Sequence, residues 1–537
     1  MKLKYSFILL LFLSFSSFSQ KKQKELFSIN DSPVYSNDFL NNFKKNRHQA
    51  VDSLDDIGSY LKLFINYKLK IKEAKDIKLD TFSKYIEELK DYKERLSAPY
   101  LRDKEVTDKL VKEAYGRMQN EVSASHILVF LKPQSSPKDT LLAFNKIIKA
   151  RDLIIGGKAF NEVAKEFSED PSAKQNGGNL GYFTVFQMVY PFENAAYSTK
   201  VNDVSKPFRT KFGYHILQVN DVRKAKGQVE VAHIMVNNKN ENAKIKIDSI
   251  YNLIINKNES FEELAKKTSD DRASAINGGK LDKFSFGQML EDFANVAFSL
   301  KNENEYSKPF QTQYGWHIVK LLKKYPIDSF VKERASLTKK VEKDNRSELI
   351  GKSVVNKLIN EYKIVINDNA LKQFNSNEWK SNTKNYTKIL LTVESKDYYQ
   401  KDFIGYLKSN KYNGLIEAFN QFKEGCIINY YKDNLEFTNS EFASTFKDFK
   451  EGLLLFDLLE KRVWNKSKDS VGISNYFIKF KEQKYKDKEL NNIKGTVIND
   501  YQNYLERLWV EELHKRYKVK INKSEKRKIL KFNNSKI

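Results

Sequence analysis

Apolar residues follow a helical spacing over much of the chain, broken by short stretches where they run together. From Thr140 to Ile155 the apolar positions keep a helical period, and Gly156-Gly157 ends the stretch as a C-cap signal. Phe160–Phe167 reads as a second short helix. A third opens at Pro191, where proline suits the first turn. Ser-His-Ile-Leu-Val at 125–129 reads as a strand, Gly177-Gly178 as a turn, and Phe208 with Gly213 to Val219 as two closing strands. Helices on a small antiparallel sheet make an α+β domain of about 100 residues.

The flanks carry a different pattern. Phe27 to Tyr35 reads as a short hairpin. Tyr60 to Ala74 mixes apolar and basic residues at a length that suits a helix, and further helices are expected over Phe82 to Leu96 and Asp103 to Asn120. Beyond the centre, Val331 to Tyr362, Glu417 to Phe446 and Leu453 to Trp464 are helical candidates. Proline is absent from Asp328 to Ile537, which fits a mainly helical region. The last stretch, Lys515 to Ile537, is basic and reads as a solvated tail.

The first residues form an address rather than a fold. Lys2 and Lys4 precede the apolar run Phe7 to Leu13, and Ser17 and Ser19 stand at −3 and −1 of a cut before Gln20. That is the layout of a secretory signal peptide over 1–19. The run is too short to span a bilayer, no internal run approaches the ~20 residues a membrane helix needs, and no cysteine follows to carry a lipid. A soluble, exported chain is expected.

Histidines expose a repeat. The chain has six, and four fall in two blocks. Val122-Ser-Ala-Ser-His126-Ile-Leu-Val129 answers Val229-Glu-Val-Ala-His233-Ile-Met-Val236. Ser168-Glu-Asp170 answers Ser269-Asp-Asp271, and Asn176-Gly-Gly178 answers Asn277-Gly-Gly279. Gln187-Met188 and Phe192 answer Gln288-Met289 and Phe293. Lys206 to Ile216 answers Lys308 to Ile318, each holding a Thr and a His, Thr210 with His215 and Thr312 with His317. The offset is 107 at the first His and 101 to 102 thereafter, so block two has a shorter loop.

Both blocks resemble parvulin-type peptidyl-prolyl isomerase domains, which have an FKBP-like α+β fold. The motifs are His-Ile-Leu-Val, Phe-Ser-Glu-Asp-Pro-Ser-Ala, Gly-Gly-Asn-Leu-Gly, Gln-Met-x-x-x-Phe and Thr-x-x-Gly-Tyr-His-Ile, in that order. The resemblance implies catalytic networks of His126, Asp170, Thr210 and His215, then His233, Asp271, Thr312 and His317. It implies proline-gripping pockets of Leu180, Phe183, Met188 and Phe192, then Leu281, Phe284, Met289 and Phe293. A threonine hydroxyl bridging both imidazoles would fix their tautomers. The segment from Tyr60 to Ala74, with Tyr100 to Val106 ahead of the first block, resembles the N-terminal chaperone region of SurA-type periplasmic proteins.

The blocks also differ. Block two has Asp282 where block one has Gly181, Arg272 for Pro171 and Asp292 for Pro191, while block one has Phe186 where block two keeps Gly287. If the Gly181 position needs a positive φ, Asp282 tolerates it less well; both blocks are expected to fold, with block one the more active copy. The expected plan is a signal peptide 1–19, a helical chaperone region 20–120, parvulin domains 121–222 and 228–325, and a mainly helical C-terminal region 326–537.

Composition narrows the function. Lys and Arg number 94 against 69 Asp and Glu, a net charge of +25. That invites nucleic acid. The lysines are dispersed among carboxylates along the whole chain, however, and an exported protein does not meet cytosolic nucleic acid. One cysteine, Cys426, excludes an intrachain disulfide and a multi-cysteine zinc site. Proline isomerisation requires no metal, nucleotide or other cofactor. The resemblance to parvulin and SurA-type proteins implies a periplasmic isomerase and chaperone for unfolded envelope or outer-membrane proteins. Its rival is a holdase whose parvulin folds bind without catalysis.

Overall fold

The computed structural model describes residues 24–47, 57–133, 135–412 and 414–532. The expected signal peptide lies outside the described residues. Among these, no helix is long and apolar enough to cross a membrane. The chain divides into two compact units, one built from the stretches up to Ser97 and from Asn434 onward, the other from Ala98–Asp433.

In the first unit the expected hairpin forms as Glu25–Ile29 and Ser32–Tyr35. The supposed solvated tail does not stay in solvent. Val519–Ile521 pairs antiparallel with Glu25–Ile29, and Lys523–Phe532 is a helix. Local sequence gave no sign of this, because the partner strand lies some 490 residues away. The helix Ile57–Asp76 explains its own mixed pattern. Lys68 is buried and meets both oxygens of Glu451 at 2.8 and 2.6 Å. Glu73 is fully buried and accepts from Trp509 Nε1 at 2.6 Å, from Arg516 at 3.0 Å and from Arg462. Buried charges persist only when paired in this way.

The second unit holds both repeats. In the first, the strand Asn120–Phe130 lies between Asn179–Phe183 and Gly213–Lys224, and Phe208–Thr210 closes the edge. One face of this sheet, through Ile127 and Val129, packs on the helices Pro137–Ile155 and Phe160–Phe167. The other face, through Val122, Ala124 and Leu217, packs on Phe192 of the helix Tyr190–Ser198. The second repeat builds the same two cores around Gln228–Asn237, Gly315–Tyr325 and Phe310–Gln311. It lacks the strand equivalent to Asn179–Phe183 and keeps only isolated bridges, Val229 to Phe284 and Ala232 to Lys280.

The expected helix from Glu417 to Phe446 is two helices, Leu415–Thr438 and Ser440–Leu459. Asn439 breaks it, because its side chain accepts the Phe442 N–H at 2.9 Å and caps the second helix. The C-terminal region also holds a three-stranded sheet, Ile364–Ile366, Ile389–Val393 and Lys396–Tyr399.

Candidate functional site

Strand register places each histidine pair. His126 lies opposite Leu217, and His215 lies opposite Leu128, so the two imidazoles leave the same sheet face on a diagonal. Their ring centroids are 5.9 Å apart and nearly parallel at 21°. In the second repeat His233 and His317 sit at 5.7 Å and 16°. A tight turn holds the first histidine of each pair. The His126 N–H donates to Gly178 O at 2.9 Å, and the His233 N–H donates to Gly279 O at 2.8 Å. A Cβ on either glycine would stand 2.3 Å from the carbonyl oxygen of that same histidine, and both have positive φ. Only glycine fits there.

The polar partners repeat as well. His126 Nε2 is 2.8 Å from Asp170 Oδ2, and His233 Nε2 is 2.7 Å from Asp271 Oδ2. Thr210 Oγ1 is 2.8 Å from His215 Nε2, and Thr312 Oγ1 is 2.9 Å from His317 Nε2. The threonine therefore bonds one imidazole rather than bridging two; the first histidine of each pair is held by the aspartate. Each threonine oxygen already accepts a backbone N–H, from Phe212 at 3.0 Å or Tyr314 at 3.2 Å. The threonine hydroxyl and Nε2 of the second histidine share one hydrogen bond, while Nδ1 of each of the four histidines is buried with no hydrogen-bond partner among the described residues. The first histidine donates Nε2–H to the ionised aspartate.

Burial keeps these imidazoles neutral. It lowers His215 and His317 to about 4, helped by the neighbouring histidine. Burial also lowers His126 and His233, against the pull of their aspartates. The carboxylates move the other way from what burial alone would do. Burial raises Asp170, but hydrogen bonds from the N–H and hydroxyl of Ser172 and from His126 outweigh it and leave the group below its usual range. Burial raises Asp271 too, and Ser274 and His233 reverse it.

Aromatic rings frame the pair. Phe192 stands edge-on to both His126 and His215, at 5.6 and 5.7 Å, and Phe293 does the same to His233 and His317. Phe208 lies directly across the strand from His215 and stacks on it at 5.4 Å; Phe310 matches it at 5.5 Å on His317. These stacking phenylalanines were not among the expected site residues, although their place in both blocks was a visible signal. The serines were also missed. Ser172 Oγ donates to Asp170 at 2.9 Å and Ser274 Oγ to Asp271 at 2.6 Å. The strict offset hides this match, because block one reads Ser172-Ala173 and block two Ala273-Ser274.

In the second repeat a cavity of about 680 Å³ opens over this network, lined by Leu281, Met289, Phe293, Asp271, Thr312 and both histidines among others. Leu180, Met188 and Phe192 occupy the same places in the first repeat, where they share one apolar cluster. Phe183 and Phe284, expected to grip substrate, are buried behind Phe192 and Phe293 at 6.1 Å. Phe284 does not line the cavity. Its position on the core face, rather than the rim, follows from its bridge to Val229.

The first repeat also packs against flanking helices. Val185 packs into a cluster with Leu110, Val111, Leu337, Val341 and Ile350 from three flanking helices. Phe186 holds a positive φ of 66° where Gly287 has 83°. The Arg346 guanidinium lies 4.8 Å from the Phe186 ring and pairs with Glu193, both fully buried. The Phe186 N–H donates to Glu193 at 3.0 Å. Gly287 cannot be replaced likewise: a Cβ there would sit 2.6 Å from Tyr182 O of the first repeat. The premise for ranking block one higher does not hold. Gly181 does take a positive φ, but Asp282 does not, since the chain there has left the strand.

Residues 109–223 and 229–323 match the family described as the PPIC-type PPIASE domain. Foldase protein PrsA 1 of Bacillus cereus is 44% identical over 117 residues, covering 22% of this chain and 36% of that protein. Chaperone SurA of Nitrosococcus oceani is 29% identical over 215 residues, covering 38% of this chain and 50% of its own length. The solution structure of NmPin, the parvulin of Nitrosopumilus maritimus, is 36% identical and covers 19% of this chain and 95% of its own, with a TM-score of 0.16. The chain thus spans half or less of the length of these curated relatives. Two stretches that match the PPIC-type PPIASE domain stand in tandem between helical regions, and over 38% of its length the chain is similar to a SurA chaperone.

Proposed function

We propose that this protein is an exported peptidyl-prolyl isomerase and chaperone, which holds unfolded envelope or outer-membrane proteins and turns their X–Pro bonds without a covalent intermediate. The observation that carries the reading is a network built twice: two buried neutral imidazoles, a carboxylate and a threonine hydroxyl beneath an apolar rim. Its working parts are the signal peptide 1–19, the N-terminal region 20–120, the parvulin domains 121–222 and 228–325, and the C-terminal region 326–537. Its location is the periplasm.

The chemistry follows from the amide. Rotation about X–Pro must break resonance, against about 18–20 kcal/mol, and takes tens to hundreds of seconds unaided. No bond is made, so the site need only bind the twisted amide better than the planar one. The planar amide is the more charge-separated, with negative charge on oxygen. An apolar pocket around Leu281, Met289 and Phe293 removes the water that favours that form. Asp170 or Asp271, placed beside the carbonyl oxygen, further raises its energy. The imidazoles and threonine hold the aspartate and the pocket floor in place.

Both modules carry the network beneath equivalent rim residues, and both are expected to accept a client segment. The test is proline isomerisation of a short peptide by the full chain and by Asp170→Ala, Asp271→Ala and the double variant. Each single change should lower kcat/KM, and the double change most, with suppression of client aggregation retained. Protection of clients by the parent chain with no acceleration over buffer would instead make it a holdase.

A further inference from the structure

The C-terminal region hides a second duplication. Residues 24–46 and 388–410 align without a gap at an offset of 364, with Lys24, Leu26, Tyr35, Asp38, Phe39, Lys44 and Asn46 meeting identical residues. Their structures agree in detail. Strand, strand and helix fall at matching positions, Glu25–Ile29, Ser32–Tyr35 and Ser36–Arg47 against Ile389–Val393, Lys396–Tyr399 and Gln400–Ser409. The hairpins share an irregularity at the same step, Glu25/Phe27 and Ile389/Leu391. They share a non-glycine residue at positive φ in the turn, Asn30 at 42° and Glu394 at 53°. Phe39 and Phe403 are both fully buried, and each meets a phenylalanine of the following helix, Phe64 at 5.4 Å and Phe422 at 5.2 Å.

The third strand repeats too. Tyr362-Lys-Ile-Val-Ile-Asn367 and Tyr517-Lys-Val-Lys-Ile-Asn522 each follow a helix. Each pairs with its hairpin in one register, Ile366 with Leu391 and Ile521 with Phe27. The bonds that lock them match. Asn522 N–H and Asn367 N–H donate to Leu26 O and Leu390 O, both at 3.0 Å. Asn30 N–H and Glu394 N–H donate to Lys518 O and Lys363 O, both at 2.8 Å. In return the Asn30 and Glu394 side chains accept the Lys518 and Lys363 N–H, at 2.9 and 2.7 Å. Three-stranded sheets recur by chance, but a shared bulge, a shared strained turn and a shared set of lock bonds do not.

Chain order adds a second finding. Hairpin half, strand half, hairpin half and strand half follow one another, with the parvulin modules inside the first pair. Tandem copies joined straight would pair 24–46 with 362–372. The pairing is crossed instead: the first hairpin takes the last strand, and the second hairpin takes the first strand. We infer that the chain is a fused pair of one ancestral unit with exchanged halves, and that residues 346–433 supply a second client-holding unit equivalent to the one built from the chain's two ends. The role in client holding rests on the proposed chaperone function; the exchange of halves does not. In each unit the junction between the two helices after the hairpin is closed by a tyrosine-to-amide bond of 2.8 Å, Tyr60 to Asn42 and Tyr406 to Gln421, Asn42 and Tyr406 being equivalent positions. On this face Leu63, 55% exposed beside the groove of Tyr60, Phe64 and Tyr67, corresponds to the exposed Gln421.

Two measurements on the full chain test this. The first places p-benzoylphenylalanine at Leu63 or at Gln421 and irradiates with reduced, carboxymethylated lactalbumin as an unfolded client. Crosslinks of comparable yield at both positions are expected. A yield at Gln421 about tenfold or more below that at Leu63 overturns the second unit and leaves the chaperone function standing. Loss of both crosslinks overturns client holding at this surface in either unit. The second introduces a protease site between 376 and 387 and cleaves the folded chain. The exchanged sheets straddle the cut, so the two fragments should stay together as one species in gel filtration. Separation into two folded fragments overturns the exchange, whatever the crosslinks show.

Discussion

The two aspartates look equivalent, yet their surroundings predict unequal costs when they are removed. In Asp170→Ala, His126 Nε2 loses its acceptor at 2.8 Å, and Ser172 bonds the aspartate rather than the ring. A buried donor is left unpaired, at a cost of about 1–3 kcal/mol. In Asp271→Ala, Ser274 Oγ already lies 3.1 Å from His233 Nε2 and can accept its proton once the carboxylate is gone. That change should cost the second module less than about 1 kcal/mol beyond the lost charge assistance. The difference, of order 1–2 kcal/mol, should vanish when Ser274→Ala is added to Asp271→Ala. Hydrogen exchange resolves the two modules within the intact chain, read at amides of Asn120–Phe130 for the first and Gln228–Asn237 for the second. Equal loss of protection in the two single variants, with no further loss on adding Ser274→Ala, would refute the reasoning.

Other outcomes follow from the same geometry. His215 and His317 have folded values near 4 against an ordinary 6.5, so the unfolded chain takes up more protons between those values. Stability should therefore be full above about pH 6.5 and fall as pH drops towards 4, by roughly 3 kcal/mol per histidine; a melting temperature unchanged from pH 7 to 5 would count against it. Gly279→Ala should unfold the site turn of the second module, since its Cβ meets His233 O at 2.3 Å, and thermal melts should lose that module's transition while the first persists. Removing residues 518–537 strips the outer strand from Glu25–Ile29, so limited proteolysis should then cut rapidly within 24–97; a tail that were merely solvated would leave the digestion pattern unchanged.

Local sequence decided much of this protein. The helical periods, the Gly-Gly turns and the caps are short-range matters of backbone geometry, and the order of motifs marked both parvulin modules with their His, Asp and Thr residues. Where partners lay close in the chain, the reading brought them together, as with Thr210 and His215, five residues apart, although the expected bridge on to His126 is not made. It failed where a contact depended on register or on distant chain. Ser172 and Ser274 reach equivalent carboxylates from non-equivalent positions, which no fixed offset reveals. Phe183 and Phe284 share the composition of a rim residue but stand on the core side of it. Nothing local to Val519-Lys-Ile521 says it is a strand, because its hydrogen-bond partners are nearly the whole chain away. Strand pairing is satisfied by whichever edge the fold brings near, so a basic tail became the lock of a sheet. Sequence determined which residues the two modules and the two duplicated units are made of; the tertiary structure alone decided which half pairs with which.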